Sequence, residues 1–205
     1  KGFNWLTYEG GKFSTSQKRG IFMNDAIDVF PADYWRWWLL SNAPEASDSD
    51  FTWKSFQGCI NKDLADVLGN FVSRLLKFSN SKFGDVVPDG DYYGQQEEKT
   101  IIEVLNHLKS YEEAMHGMEV RKSANILRKI WTLGNEYLQV SAPWVEIKSS
   151  PDQAKKMVRF GFNLLNFYAD ISKPFIPETS RKIKTLLNFP FIEADWPLSD
   201  KSAFH

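Results

Sequence analysis

From Trp53 onward, apolar residues return every three or four positions in long runs, and only helices packed on one another satisfy that period. The first run spans about Trp53 to Phe83, with Phe56, Ile60, Leu64, Val67, Leu68, Phe71, Leu75 and Phe78 on one face. Gly84 to Gly94, with Pro88-Asp89-Gly90, breaks it. A second helix is predicted from about Gln95 to His116, with Ile101, Val104, Leu105, Leu108 and Tyr111 inward and Gly117 as its stop. A third runs from about Glu119 to Gln139, with Val120, Ala124, Leu127, Ile130, Trp131, Gly134 and Leu138 inward. Ala142-Pro143-Trp144 interrupts the pattern, because Pro143 lacks a backbone donor and disfavours helix at the residue before it. Pro151-Asp152 opens a helix to about Ile171, and Pro174 and Pro177 mark the turn into a last one at 177–188.

The first fifty residues obey a different pattern. Residues 4–13 alternate around Gly10-Gly11 and predict a β-hairpin. A polar loop follows, Ser14-Thr15-Ser16-Gln17-Lys18-Arg19-Gly20, which is either a flexible connector or a phosphate contact. Asn24 is positioned to cap a short helix at 25–29, and Pro31 to open another from Asp33 to Ser41. That helix carries Tyr34, Trp35, Trp37, Trp38, Leu39 and Leu40 around its circumference, so it is expected to be buried from several directions as core. Residues 42–51 read as an acidic loop, and the aromatic tail after about 190 is expected to pack back on the helices. The predicted fold class is therefore mainly α: an antiparallel helix bundle preceded by a short β-hairpin and loop. Residues 1–52 and 53–205 form the two expected units.

With 205 residues, 42% of them apolar, the chain can bury a substantial core. The single cysteine, Cys59, excludes an internal disulfide framework, and three scattered histidines offer no metal site. No apolar run is long enough for a membrane span. A net charge of −1 conceals alternating blocks. Residues 85–119 carry nine acids against two bases, and residues 120–189 carry twelve bases against five acids. Such blocks are either solvated helix faces or a basic surface for a polyanion. The chain opens on Lys1 within what reads as a strand, and is expected to be a piece of something larger.

The order of the pieces is more specific than any one of them. Lys12-Phe13-Ser14-Thr15-Ser16 resembles the Lys-Met-Ser-Lys-Ser signature loop of class I aminoacyl-tRNA synthetases, and the helical module and bundle follow in that class's order. Asn70-Phe71-Val72-Ser73-Arg74 resembles the Asn-x-x-Ser-Arg stretch of the methionyl-tRNA synthetase family. Asn135-Glu136-Tyr137 followed by Ala142-Pro143-Trp144 resembles that family's Asn-x-Tyr and Ala-Pro-Trp stretch. The resemblance covers nearly the whole chain. It implies the C-terminal half of an enzyme that activates methionine with ATP and Mg2+ and transfers it to its tRNA. Residues 1–52 are then the end of the catalytic domain with its stem-contact module, and 53–205 the anticodon-binding domain. No His-x-Gly-His signature is present, so this piece is expected to be inactive in aminoacylation and to bind no cofactor alone. The implied partners are methionine tRNA through its CAU anticodon stem-loop, and methionine and ATP through the missing half, with no membrane and a cytoplasmic location.

The resemblance also assigns residues. Lys12, Ser14, Thr15, Ser16 and Lys18 form the catalytic loop, with Lys12, Thr15, Lys18 and Arg19 towards ATP. Lysines on a mobile loop neutralise charge that builds on the phosphates as pyrophosphate leaves. Thr15 stands where the family has its second Lys, and Lys18 or Arg19 is the candidate replacement. Asn70, Arg74, Pro143 and Trp144 are assigned to the anticodon. Trp144 would stack under the cytosine, while Asn70 and Arg74, four apart on one helix face, read its edge. No metal ligand is assigned. From the residues alone, both read as structural: Trp144 as a core plug between helices and Arg74 as a partner for Asp66 or a neighbouring acid. Lys77, Lys82, Arg121, Lys122, Arg128, Lys129, Lys148, Lys155, Lys156 and Arg159 are candidates for tRNA phosphates. A helical binding module without a catalytic parent, the same half of a cysteine, leucine, isoleucine or valine enzyme, and a scaffold with incidental basic faces are the alternatives.

Overall fold

Thr52 sets the start of the longest helical run. Its hydroxyl accepts from the Ser55 backbone at 3.0 Å, and the Ser55 hydroxyl lies 3.3 Å from the Thr52 N–H. This capping box satisfies donors that a bare helix start leaves open. In the computed structural model, which describes residues 2–90, 93–190 and 204, the run continues without a break to Gly84. It has three parts: α3 (Trp53–Cys59), a π-helical stretch (Ile60–Gly69) and α4 (Asn70–Phe83). The predicted limits of 53 and 83 hold. The wide turns in the middle were not legible, because the three- and four-residue apolar steps read there are those of an ordinary α-helix.

The remaining helices are α5 (Gln95–His116), α6 (Val120–Ser141), α7 (Pro143–Glu146), α8 (Pro151–Ser172) and α9 (Pro177–Leu186). The fold is mainly helical. The inward faces read from the sequence are the buried ones: Ile101, Val104, Leu108 and Tyr111 on α5, and Ala124, Leu127, Ile130, Trp131 and Leu138 on α6. Helix α8 is buried on most of its circumference, as a central helix must be. At Gly134 α6 packs tightly on both the rod and α8, since a Cβ there would press into the Phe71 ring and the Tyr168 hydroxyl. The register between rod and α6 is constant. Asp63 meets Arg128, Asn70 meets Asn135 and Arg74 meets Gln139, so the two helices run in the same direction.

The N-terminal region departs from expectation. Strand β1 (Leu6–Tyr8) does not pair in a hairpin; it pairs in parallel with β2 (Ser49–Phe51), inside the expected acidic loop. The tight turn is real, but its central residues are Glu9 and Gly10, both with positive φ, and Tyr8 and Gly11 exchange both backbone hydrogen bonds. Asp50 ties this turn to β2. Its carboxylate accepts from the Thr7 hydroxyl at 2.6 Å and from the Gly10 N–H at 3.0 Å. The connection from β1 to β2 passes through α1 (Met23–Val29) and α2 (Ala32–Ser41), the crossover that parallel strands require. Helix α1 starts after Phe22 with no side-chain cap, so Asn24 lies inside it rather than capping it.

Helix α2 is the wedge that its composition implied. Trp37 packs on Trp131 and Phe175, with ring centres at 4.8 and 5.9 Å. Trp35 packs on Phe56 and Trp53, and Trp38 on Phe51. Only Leu39 escapes, at 38% exposure. The polar residues of α2 clasp the far end of the chain. Buried Asp33 accepts from the Glu178 and Thr179 backbone at 3.3 and 2.6 Å, capping α9. Arg36 donates to the carbonyls of Pro174 and Phe175 at 2.6 and 3.2 Å. The expected packing of the tail after 190 lies outside the described residues except at Phe204, which is buried against Phe167.

Candidate phosphate loop and nucleic-acid interface

The polar loop is closed at its base. Ser14 and Arg19 exchange backbone hydrogen bonds of 2.9 and 2.8 Å, and the Lys18 N–H donates to the Thr15 carbonyl at 3.1 Å. Inside, the Ser14 hydroxyl accepts from the Gln17 N–H at 3.3 Å and sits 3.2 Å from that of Ser16. Lys12, Thr15, Ser16 and Lys18 are exposed, and Ser14 is half-buried. Neither Lys12 nor Lys18 has an ion pair among the described residues. Arg19 is engaged: one guanidinium nitrogen donates to the carbonyls of Tyr8 and Glu9 at 3.1 and 3.0 Å. Two free ammonium groups flanking a small-residue loop fit a polyphosphate. Thr15 offers only a hydroxyl.

The second site lies further along the rod, beyond the π-helical stretch, from Asn70 onward. Two polar rungs join α4 to α6. Asn70 donates to Asn135 at 3.1 Å, and Arg74 donates to Gln139 at 3.3 Å. Asn135 in turn donates to the Val67 carbonyl at 2.8 Å, filling an acceptor in the π-helical stretch. Beyond the second rung the chain turns sharply. Ala142 adopts left-handed backbone (φ 44, ψ 58), strained for a residue with a Cβ, and Pro143 occupies the first helical position of α7. Pro143 is buried; Trp144, next to it, is half-buried. The Arg74 guanidinium lies 4.8 Å over the Trp144 ring, and Phe78 meets that ring edge-on at 6.4 Å.

The structure thus brings together Asn70, Arg74, Pro143 and Trp144, drawn from two segments of the chain. Arg74 does not pair with Asp66. Asn135 and Gln139 complete the rungs; the first was noticed as part of a motif without a role, and the second carried no signal beyond its four-residue spacing. Among the ten basic candidates, four are held internally. Arg128 is bonded to Asp63 at 2.5 Å, Lys122 to Glu119 at 2.7 Å, Lys155 to Asp152 at 2.8 Å and Arg159 lies 4.0 Å from Asp89. Arg128 is structural, since Asp63 also accepts from the Trp37 indole at 3.2 Å and the Cys59 thiol at 3.6 Å. Burial, together with the Asp63 carboxylate, pushes the Cys59 thiol up to about 12. Lys77, Lys82, Arg121, Lys129, Lys148 and Lys156 have no ion pair among the described residues. Lys77 follows Arg74 by one helical turn.

Comparison with known proteins matches both regions. A family model for the anticodon binding domain of methionyl tRNA ligase covers residues 87–205, and one for class I tRNA synthetases (M) covers residues 1–76. A methionine–tRNA ligase from Ruegeria pomeroyi is 55% identical over 205 residues, all of this chain and 36% of that protein. One from Dinoroseobacter shibae is 56% identical over 197 residues, 96% of this chain and 34% of the relative. The fold is similar to that of Mycobacterium tuberculosis methionyl-tRNA synthetase in complex with methionyl-adenylate, with a TM-score of 0.82 at 20% identity, over 91% of this chain and 37% of that one. The chain spans about a third of the length of the curated relatives it matches.

Proposed function

Because the chain belongs to the methionyl-tRNA ligase family, we propose that it is the RNA-reading third of an enzyme that joins methionine to its tRNA at the expense of ATP. Residues 1–52 close the catalytic domain and 53–205 form an antiparallel anticodon-binding bundle, with the division at the Thr52 cap. Among the described residues, about half of the exposed large apolar side chains, including Phe3, Trp5, Phe13, Phe22, Met23 and Ile27, lie in this first quarter of the chain. That distribution fits a surface covered by the rest of a catalytic domain. Among the described residues no helix is long and apolar enough to cross a membrane. We assign the protein to the cytoplasm, where charged tRNA is used.

The observation that carries the reading is the pair of rungs Asn70–Asn135 and Arg74–Gln139 ending at Trp144. Amides that bond each other offer donors and acceptors which a base edge can replace one for one. Placed over the indole and bonded to Gln139, the Arg74 guanidinium is held in position. An unstacked cytosine placed on the open side of Trp144 meets both an aromatic surface and these groups. Lys77 and Lys148 are assigned to neighbouring phosphates. In the loop, Lys12 and Lys18 would hold the ATP phosphates and Ser14, Thr15 and Ser16 would line their approach. ATP, carried with Mg2+, would supply the α-phosphorus that the methionine carboxylate attacks, with pyrophosphate as the leaving group.

The test is a salt-controlled titration with a CAU anticodon stem-loop. Trp144→Ala is expected to weaken binding ten- to a hundredfold, about 1–3 kcal/mol. Replacing the cytosine should have a comparable effect. Equal, strongly salt-dependent binding of every stem-loop would reduce the site to nonspecific basic contact.

A further inference from the structure

Arg19 is the one basic residue of the loop whose guanidinium is already occupied. It reaches back across the turn and gives two hydrogens of one nitrogen to the adjacent carbonyls of Tyr8 and Glu9. Its own backbone closes the loop against Ser14. One residue therefore fastens the loop twice: by main chain to its own other end, and by side chain to the turn before it. That turn is fixed in its place. The Asp50 carboxylate holds the Gly10 N–H and the Thr7 hydroxyl, and the Glu9 carboxylate accepts from the Trp53 N–H at 3.0 Å, at the first residue of the rod. Gly11 makes room for the brace, because a Cβ there would overlap the Arg19 guanidinium.

We propose that Arg19 is a positioning residue for the phosphate loop, and that Lys12 and Lys18 alone supply its charge to the phosphates. This rests on the phosphate-loop reading above. Both bonds leave one terminal nitrogen at the full reach of the arginine side chain, its hydrogens fixed in the guanidinium plane, whereas the lysine ammonium ends shorter on a flexible, strongly hydrated stem and does not reproduce that placement. A group held this way fixes where Lys18 sits when the loop closes and does not itself move onto substrate. A small displacement of a reacting group is enough to lower a rate tenfold or more.

The experiment uses the full-length enzyme with Gly11→Ala, Arg19→Lys, Lys12→Ala and Lys18→Ala. Gly11 has no left-handed φ, so alanine fits its backbone and expels the brace without changing any charge. Two readouts are taken: methionine-dependent exchange of pyrophosphate into ATP, and hydrogen exchange at the Ser14 and Arg19 amides. Gly11→Ala and Arg19→Lys should each lower kcat about tenfold with the KM for ATP within about twofold. Both should accelerate exchange of the two amides. An Arg19→Lys enzyme with normal kcat, or a raised KM for ATP with unchanged amide exchange, would return Arg19 to a phosphate contact and overturn the inference. Faster amide exchange with unaltered kcat would overturn it too, since the brace would then not serve the reaction. If Lys12→Ala and Lys18→Ala both retain normal pyrophosphate exchange, the phosphate-loop reading itself fails, whatever the amides report.

Discussion

The loop at 14–19 and the ladder ending at Trp144 are both polar, yet they are built in opposite ways. The loop side chains stand in solvent and are held by main-chain hydrogen bonds and one guanidinium. The ladder stands on two helices whose register is pinned by a half-buried network around Asp63 and by the close approach at Gly134. A group that must fold over a substrate needs a shallow energy surface. A group that must discriminate one base edge from another needs partners that do not shift. The difference teaches that rigidity in this chain is concentrated where recognition is proposed, and is thin where closure is proposed.

Substitutions can break that contrast in order of size. Trp37→Ala removes a fully buried ring packed on Trp131 and Phe175, and should lower unfolding free energy by about 3–5 kcal/mol in urea denaturation. A much smaller loss would mean that the wedge is not part of the rigid frame. Asp63→Ala leaves Arg128 half-buried without its partner and strips the Trp37 indole of an acceptor. Roughly 2–3 kcal/mol should be lost, and RNA affinity with it, while amide exchange in the loop stays as it was.

Cys59 probes the same network through chemistry. Its thiol, pushed up to about 12 by burial and the Asp63 charge, has little thiolate at pH 8. Alkylation should run roughly a hundredfold slower than for an unhindered cysteine and speed up in Asp63→Ala. Arg74→Lys keeps the charge but loses the fork and most of the stacking on Trp144, so stem-loop affinity should fall about fivefold, near 1 kcal/mol. At the other end of the scale, Thr15→Lys sits on the exposed loop. It should change stability by less than about 0.5 kcal/mol while lowering the KM for ATP in the full-length enzyme.

The helices were legible because their causes are local. The apolar period, Gly117 as a stop and Pro at the first position of α8 and α9 act within a few residues, and the predicted limits of α5 are the observed ones, whereas Pro143, read only as a break, opens the short α7. Of the candidate site, Asn70, Arg74, Pro143 and Trp144 were found from short motifs. Their partners Asn135 and Gln139, 65 residues away in each case, were not paired with them, because no local rule connects two helices' polar edges. The hairpin failed for the same reason. A tight turn was legible, though it is centred on Glu9-Gly10 and not on the expected Gly10-Gly11, and the partner strand lies some forty residues on, where Asp50 and the aromatic packing of Phe51 hold it.

By itself, then, the sequence determined the helices, their breaks, the buried faces and the residue types available at both ends of the rod. Only the tertiary structure decided which strand β1 meets and that Asp33 caps a helix 145 residues away. It likewise decided that the middle of the rod unwinds into wide turns around Asn135, and that Arg19 is spent on the Tyr8-Glu9 turn rather than left free. The physical reason is one of range. Backbone propensity and capping are fixed by neighbours within a helical turn, whereas a donor's choice among distant acceptors is fixed only when the closed chain has excluded water from the others.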